Sequence, residues 1–184
     1  MESTTGHLAL IRDLELAIAE HRTITLAYKK WYKPEEIKTY REVKPYKIII
    51  FDGFWYLLTQ YKEHYIKFYL KEIRNLQVHE KQFDPDSHLL ERMEHAVSIW
   101  FNPKAEPFEI TLLLEWSAIA YFKRKPIRGQ HLKENPDGTA ELSFAITNKR
   151  ELFDIMKKWL PQIRVIEPQG LQEEFEGMLW GYLG

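Results

Sequence analysis

Apolar residues Leu8, Ile11, Leu14, Leu16 and Ile18 recur close to helical spacing, which predicts one amphipathic helix over residues 8–21, ending at His21-Arg22. From Thr23 to Tyr28 the period shortens to two, the alternation of a strand. Residues 29–40 are polar, contain Pro34 and read as a loop. Arg41 to Phe51 reads as a strand interrupted near Pro45. Asp52-Gly53 then marks a tight hairpin turn, and Phe54–Tyr61 is the next strand. Residues 65–70 alternate again, with Ile66, Phe68 and Leu70 on one face and Tyr65, Lys67, Tyr69 and Lys71 on the other. One helix followed by short, tightly turned strands predicts a small SH3-like or Sm-like β-barrel over residues 8–82.

The pattern breaks at Phe83-Asp84-Pro85, and Pro85, Pro103 and Pro107 cluster where residues 83–104 read as a linker. Beyond it, Phe108–Trp116 predicts a strand and Ser117–Lys123 a short helix capped by Ser117. Residues 127–133 and 139–146 predict a hairpin across Asn135-Pro136-Asp137-Gly138. Thr147 or Asn148 caps a helix that Pro161 stops after Leu160, Ile163–Pro168 is a last strand, and Gly170–Tyr182 a last helix. The order β-α-β-β-α-β is that of a ferredoxin-like unit over residues 105–184. The whole reads as an α+β protein of two domains.

Composition narrows the chemistry. The formal net charge is −1, so no global basic field exists to hold a duplex through its phosphates. The absence of cysteine removes disulfides, thiolate zinc sites and thiol catalysis, and fits a reducing cytoplasm. Residues 1–20 lack the pattern of a signal peptide, and no apolar run approaches membrane-spanning length. The seven histidines form no HExxH or HxH pattern, and no Walker loop, GxGxxG or GxSxG motif is present. Neither catalytic residues nor a cofactor are expected. Ser87, His88 and Glu91 read as a helix cap.

Aromatic content is high, with 6 Trp, 10 Tyr and 10 Phe. Residues 22–47 interleave Tyr28, Trp31, Tyr32, Tyr40 and Tyr46 with eight basic residues against the acidic Glu35, Glu36 and Glu42. Cations to hold phosphates and flat rings to stack bases are what single-strand binding requires. Lys29, Lys30, Lys33 and Lys38 read as solvated loop charges. Arg41, beside a fixed turn, has the planar fork suited to gripping a phosphate. Trp55 and Leu57, at period two, read as core. The basic run Lys123-Arg124-Lys125-Pro126-Ile127-Arg128 reads as a solvated helix end.

Several of these residues together resemble the WYL domain. They are Trp55-Tyr56-Leu57 after the Asp52-Gly53 turn, Arg41-Glu42-Val43-Lys44-Pro45 upstream, and Phe68-Tyr69-Leu70 with Ile73 downstream. The second half resembles the extension that follows many such domains, through Val165-Ile166-Glu167-Pro168 and Leu171. The resemblance implies a ligand-sensing regulatory module of a transcriptional regulator, not an enzyme, that binds a negatively charged effector, a nucleotide or short single-stranded nucleic acid. The expected ligand surface is Arg41, Lys44, Tyr28, Tyr46, Lys67 and Tyr69. Family members often carry arginines where this chain has Ile66, Tyr69 and Glu72, while Lys67 and Lys71 are displaced by one residue, onto the opposite face of a strand. Too few residues precede Leu8 for the winged helix-turn-helix that opens most such regulators, so the module that would reach duplex DNA is expected to be absent. The alternative is a protein-protein interaction or dimerisation module, a homodimer being one form, built on Trp100-Phe101 and on Leu179, Trp180, Tyr182 and Leu183. Its ligand site would then be degenerate.

Overall fold

The computed structural model describes residues 4–184 apart from 31 and 34, so Trp31 and Pro34 of the expected loop lie outside the described residues. The chain divides into two units, one ending at Asp86 and the other starting at Ser87.

In the first unit, α1 (Thr4–Ala19) precedes β1 (Arg22–Lys29), β2 (Ile37–Phe51), β3 (Phe54–Tyr61), β4 (His64–Tyr69), a single 3₁₀ turn (Leu70–Glu72) and β5 (Ile73–Gln82). The helix starts earlier than its apolar spacing suggests. It buries Leu14 and Ala17, leaving Leu8 and Leu16 in solvent against the expectation for both. The strands form one antiparallel sheet in the order β4-β3-β2-β1-β5. β5 was not anticipated as a separate strand. Ile24, Leu26, Val43, Leu57 and Phe68 fill the core beneath α1.

β2 is the organising strand. Its first half pairs with β1 and its second half with β3. A bulge lies at Arg41-Glu42, where two β2 residues between Tyr40 and Val43 face a single β1 residue and Glu42 takes φ 53°. A second irregularity falls between Pro45 and Lys47. The break expected near Pro45 is thus a bulge inside a strand that begins at Ile37, because proline lacks the N–H that a regular ladder needs. Asp52 (φ 49°) and Gly53 (φ 80°) both occupy the left-handed region, as a two-residue hairpin turn requires.

The expected closed barrel is not formed. β4 and β5 are the two edges of the sheet, and no pairing between them occurs among the described residues. β4 runs directly into the 3₁₀ turn, and the Tyr69 amide donates to the Tyr28 hydroxyl at 3.4 Å rather than to a neighbouring backbone.

The second unit contains α2 (Ser87–Met93), β6 (Phe108–Leu114), α3 (Trp116–Arg124), β7 (His131–Glu134), β8 (Ala140–Ile146), α4 (Lys149–Lys158), β9 (Ile163–Glu167) and α5 (Leu171–Leu183). Its antiparallel sheet runs β7-β8-β6-β9, with β8 lying between β6 and β7. Alternate residues Ile110, Leu112, Leu114 and Leu142, Phe144, Ile146 are buried with Phe153, Met156 and Phe175. Asn148 caps α4 by accepting from the Arg150 amide at 3.0 Å. Ser117 is not a cap: Glu115 holds that position and its side chain makes no capping bond.

Residues 87–104 are also more ordered than a linker. Residues 87–93 are helical, and Glu151, with no exposed surface, accepts from the amides of Val97 (2.8 Å), Ser98 (3.0 Å) and Thr147 (3.1 Å) and from the Thr147 hydroxyl (3.0 Å). Phe101 is buried instead of offering a docking surface, and the Arg150 guanidinium lies 3.8 Å from the Trp100 ring centre.

Candidate functional site

The bulge in β2 turns Arg41 out of the sheet, and the pairing of Lys44 with Gln60 brings the end of β3 alongside it. The result is an open groove of about 660 Å³, lined by Arg41, Glu42, Lys44, Gln60, Tyr61, Lys62 and Glu63. Lys62 occupies the turn into β4 with φ 55°. Among the described residues the Arg41 guanidinium has neither a hydrogen-bond nor an ion-pair partner. The Lys44 and Lys62 ammoniums lie 5.8 Å from the Phe83 ring and 5.5 Å from the Tyr61 ring. Glu42 is engaged elsewhere: Lys81 donates to it at 2.8 Å and holds its carboxyl below the usual range. An uncommitted guanidinium flanked by two ammoniums suits an anion, above all a phosphate that accepts a bidentate fork.

A second, smaller cavity of about 240 Å³ lies at the other end of β3, lined by Ile11, Gly53, Phe54, Trp55, Tyr69, Leu70 and Lys71. The Tyr69 ring centre is 5.8 Å from Phe54 and 5.6 Å from Tyr56. Burial, followed by the neighbouring Tyr69 and Asp52, pushes the Tyr56 phenol above its ordinary value. Trp55 is 43% exposed, which corrects its expected place in the core, whereas Leu57 is fully buried.

The six expected ligand residues therefore do not form one surface. Arg41 and Lys44 meet in the groove, and Tyr69 lines the separate cleft. Lys67 is half-buried on β4, paired with Leu58. Tyr28 packs edge-on against Phe68 at 4.9 Å, its hydroxyl capping the Tyr69 amide. Burial raises its phenol pKa, opposed by that hydrogen bond. Tyr46 is 6% exposed. Its hydroxyl donates to Gln60 at 3.2 Å and accepts from the Asp86 amide at 3.2 Å. Burial raises its phenol as well. Gln60, Tyr61, Lys62 and Glu63 escaped the sequence reading, although a Lys-Glu pair between two alternating strands is a recognisable turn.

Among the described residues no group of three or more His, Asp or Glu side chains could hold a metal ion, and no helix is long and apolar enough to cross a membrane.

Comparisons with known proteins divide the chain in a similar way. A family model described as the WYL domain matches residues 9–78, and one described as the WCX domain matches residues 106–179. Among solved structures, the chain is similar to proteasome accessory factor B/C (PafBC) of Arthrobacter aurescens, at 17% identity and a TM-score of 0.42, over 100% of this chain and 28% of that one. It is also similar to a CRISPR Cas-related protein, at 14% identity and a TM-score of 0.53, over 96% of this chain and 52% of that one. The chain thus spans about a quarter and about half of the lengths of these two proteins. No curated protein matches. With one matched domain in each unit, the chain is a WYL domain-containing protein, its WYL domain followed by a WCX domain.

Proposed function

We propose that this chain is a regulatory sensing module whose WYL domain binds a negatively charged effector, a nucleotide or short single-stranded nucleic acid, in the Arg41–Lys44–Lys62 groove. The observation that carries this reading is the Arg41 guanidinium, presented by a β-bulge without a partner among the described residues and lining one groove with two lysines. Gln60 supplies an amide, and Tyr61 a ring for stacking. The reading assigns no catalytic step to the chain and places its action in the cytoplasm. The second unit is read as ferredoxin-like, since β8 lies between β6 and β7 in an antiparallel sheet. A sensor must contact its ligand differently in two states, so that binding shifts their populations.

The test is fluorescence-anisotropy titration of labelled oligo(dT), with a duplex of matched length as control. Binding of the single strand that weakens with salt and is lost in Arg41→Ala/Lys62→Ala is the expected result. Unaltered binding by the double variant removes the groove as the site.

A protein-protein or homodimer reading rests on a different observation. Trp180, Tyr182 and Leu183 of α5 are 71%, 87% and 73% exposed. Sedimentation across a concentration range tests it, and a single monomeric species throughout removes the homodimer.

A further inference from the structure

After β5 the chain does not simply leave the first unit. Residues 83–86 turn back against Tyr46 of β2 and Tyr65 of β4. The Phe83 amide donates to the His21 carbonyl at 2.9 Å, and the Phe83 ring packs 5.5 Å from Tyr46. Three residues on, the Asp86 carboxylate accepts from the Tyr65 hydroxyl at 2.7 Å, and the Asp86 amide donates to the Tyr46 hydroxyl at 3.2 Å. Two residues of this arrangement also line the groove. Lys44 places its ammonium 5.8 Å from the Phe83 ring, and Gln60 accepts from the Tyr46 hydroxyl that Asp86 engages.

We propose that residues 83–86 are a strap that competes with the anionic effector for Lys44 and Gln60, so that filling the groove releases Asp86 from Tyr65. This inference rests on the groove being the effector site. A phosphate beside Arg41 draws the Lys44 ammonium toward itself and away from the Phe83 ring. It also accepts from the Gln60 Nε2, and turning that amide toward the phosphate draws Oε1 away from the Tyr46 hydroxyl, which loosens the chain of hydrogen bonds running through Tyr46 to Asp86. The strap carries Asp84 and Asp86, both of the same sign as the ligand, so strap and ligand disfavour one another by charge as well. Shared residues supply the differential contact that a ligand needs in order to move a two-state equilibrium. Asp86 is the last residue of the first unit and Ser87 the first of the second. The strap is therefore the piece of chain through which occupancy of the groove would be passed on.

By linkage, anything that loosens the strap tightens ligand binding. Tyr65→Phe removes the bond to Asp86 without altering charge, and should bind oligo(dT) about tenfold more tightly if that bond has the strength usual for a charged acceptor. Asp86→Asn should tighten binding more than Asp84→Asn, which makes the same charge change without a latch to lose. In the full chain, amide hydrogen exchange across residues 83–88 should accelerate when oligo(dT) saturates the groove. Wild-type affinity in Tyr65→Phe, together with unchanged or slower exchange at 83–88 under saturation, overturns the strap while leaving the effector reading intact. Failure of the wild-type chain to bind oligo(dT) at low salt overturns the effector reading, and the strap with it.

Discussion

Replacing Arg41 by alanine should change how binding depends on salt, by an amount the groove itself sets. Among the described residues three side-chain cations line it: Arg41, Lys44 and Lys62. Each phosphate neutralised on a single strand contributes about −0.7 to the slope of log affinity against log salt, so full engagement gives a slope of about −2. Across a rise from about 50 to 200 mM salt, affinity should then fall about 18-fold. Arg41→Ala removes one contact, which brings the slope to about −1.4 and the same salt rise to about a sevenfold loss. Anisotropy titrations of labelled oligo(dT) at four or five salt concentrations resolve that difference. Lys71→Ala is the control: it deletes an equal charge from the cleft at the other end of β3 and should leave the slope unchanged. A slope indifferent to Arg41→Ala refutes the reasoning. So does a wild-type slope steeper than about −4, which would require more phosphate contacts than the groove holds cations.

Other consequences concern stability. Glu151→Ala strands the part-buried amides of Val97 and Ser98 and the buried amide of Thr147, and should cost about 3–5 kcal/mol in urea unfolding, with Glu151→Gln intermediate because one oxygen remains an acceptor. A loss below about 1 kcal/mol would mean that residues 97–102 are held by something else. Burial raises Tyr28, Tyr46 and Tyr56 above 10.0, so the folded state keeps these protons longer than the unfolded chain. Their contribution to stability is complete below pH 10.0 and is lost as pH rises through the raised folded values. Tyrosinate absorbance should therefore develop later in the native protein than in urea; superimposable titrations would contradict this.

Much of the layout was legible because it is encoded locally. The Asp52-Gly53 turn, the Asn148 cap, the alternation of β4 and the β-α-β-β-α-β order each depend on residues close together in sequence. What escaped depends on phase and on distant partners. Alternation says which residues share a face but not where the covering layer ends. Trp55 follows the same period as Leu57, yet it lies beyond the covered region with Phe54 and Ile50, and all three are exposed. The irregularity between Pro45 and Lys47 shifts the phase of β2 and leaves Tyr46 buried. Residues 97–102 look like linker because Glu151 and Thr147, which hold them, lie 45–54 positions away. The barrel was expected from strand count and turn lengths, which do not specify whether the edge strands pair.

The departures from the family's arginine pattern decide which of the two cavities should carry charge recognition. Ile66 packs against the core, Tyr69 packs edge-on against Phe54 and tilted against Tyr56, and Glu72 accepts from Arg74 at 2.9 Å. None of the three supplies a cation, and among the described residues Lys71 is the only positive side chain lining the cleft. Three cations instead line the groove around the bulge at Arg41 and the Lys62 turn, against the carboxylates of Glu63 and of Glu42, which Lys81 engages. From Trp55 to Tyr61 the strand covers about 20 Å, too far for a side chain at one end to influence a phosphate at the other by contact. Trp55→Ala should therefore leave oligo(dT) affinity within about twofold of wild type, as expected for a distant, independent site. Arg41→Ala should lower it at every salt concentration below that of complete screening. If Trp55→Ala weakens binding and Arg41→Ala does not, aromatic stacking in the cleft rather than charge in the groove is what holds the strand, and the effector site belongs at Trp55 and Tyr69.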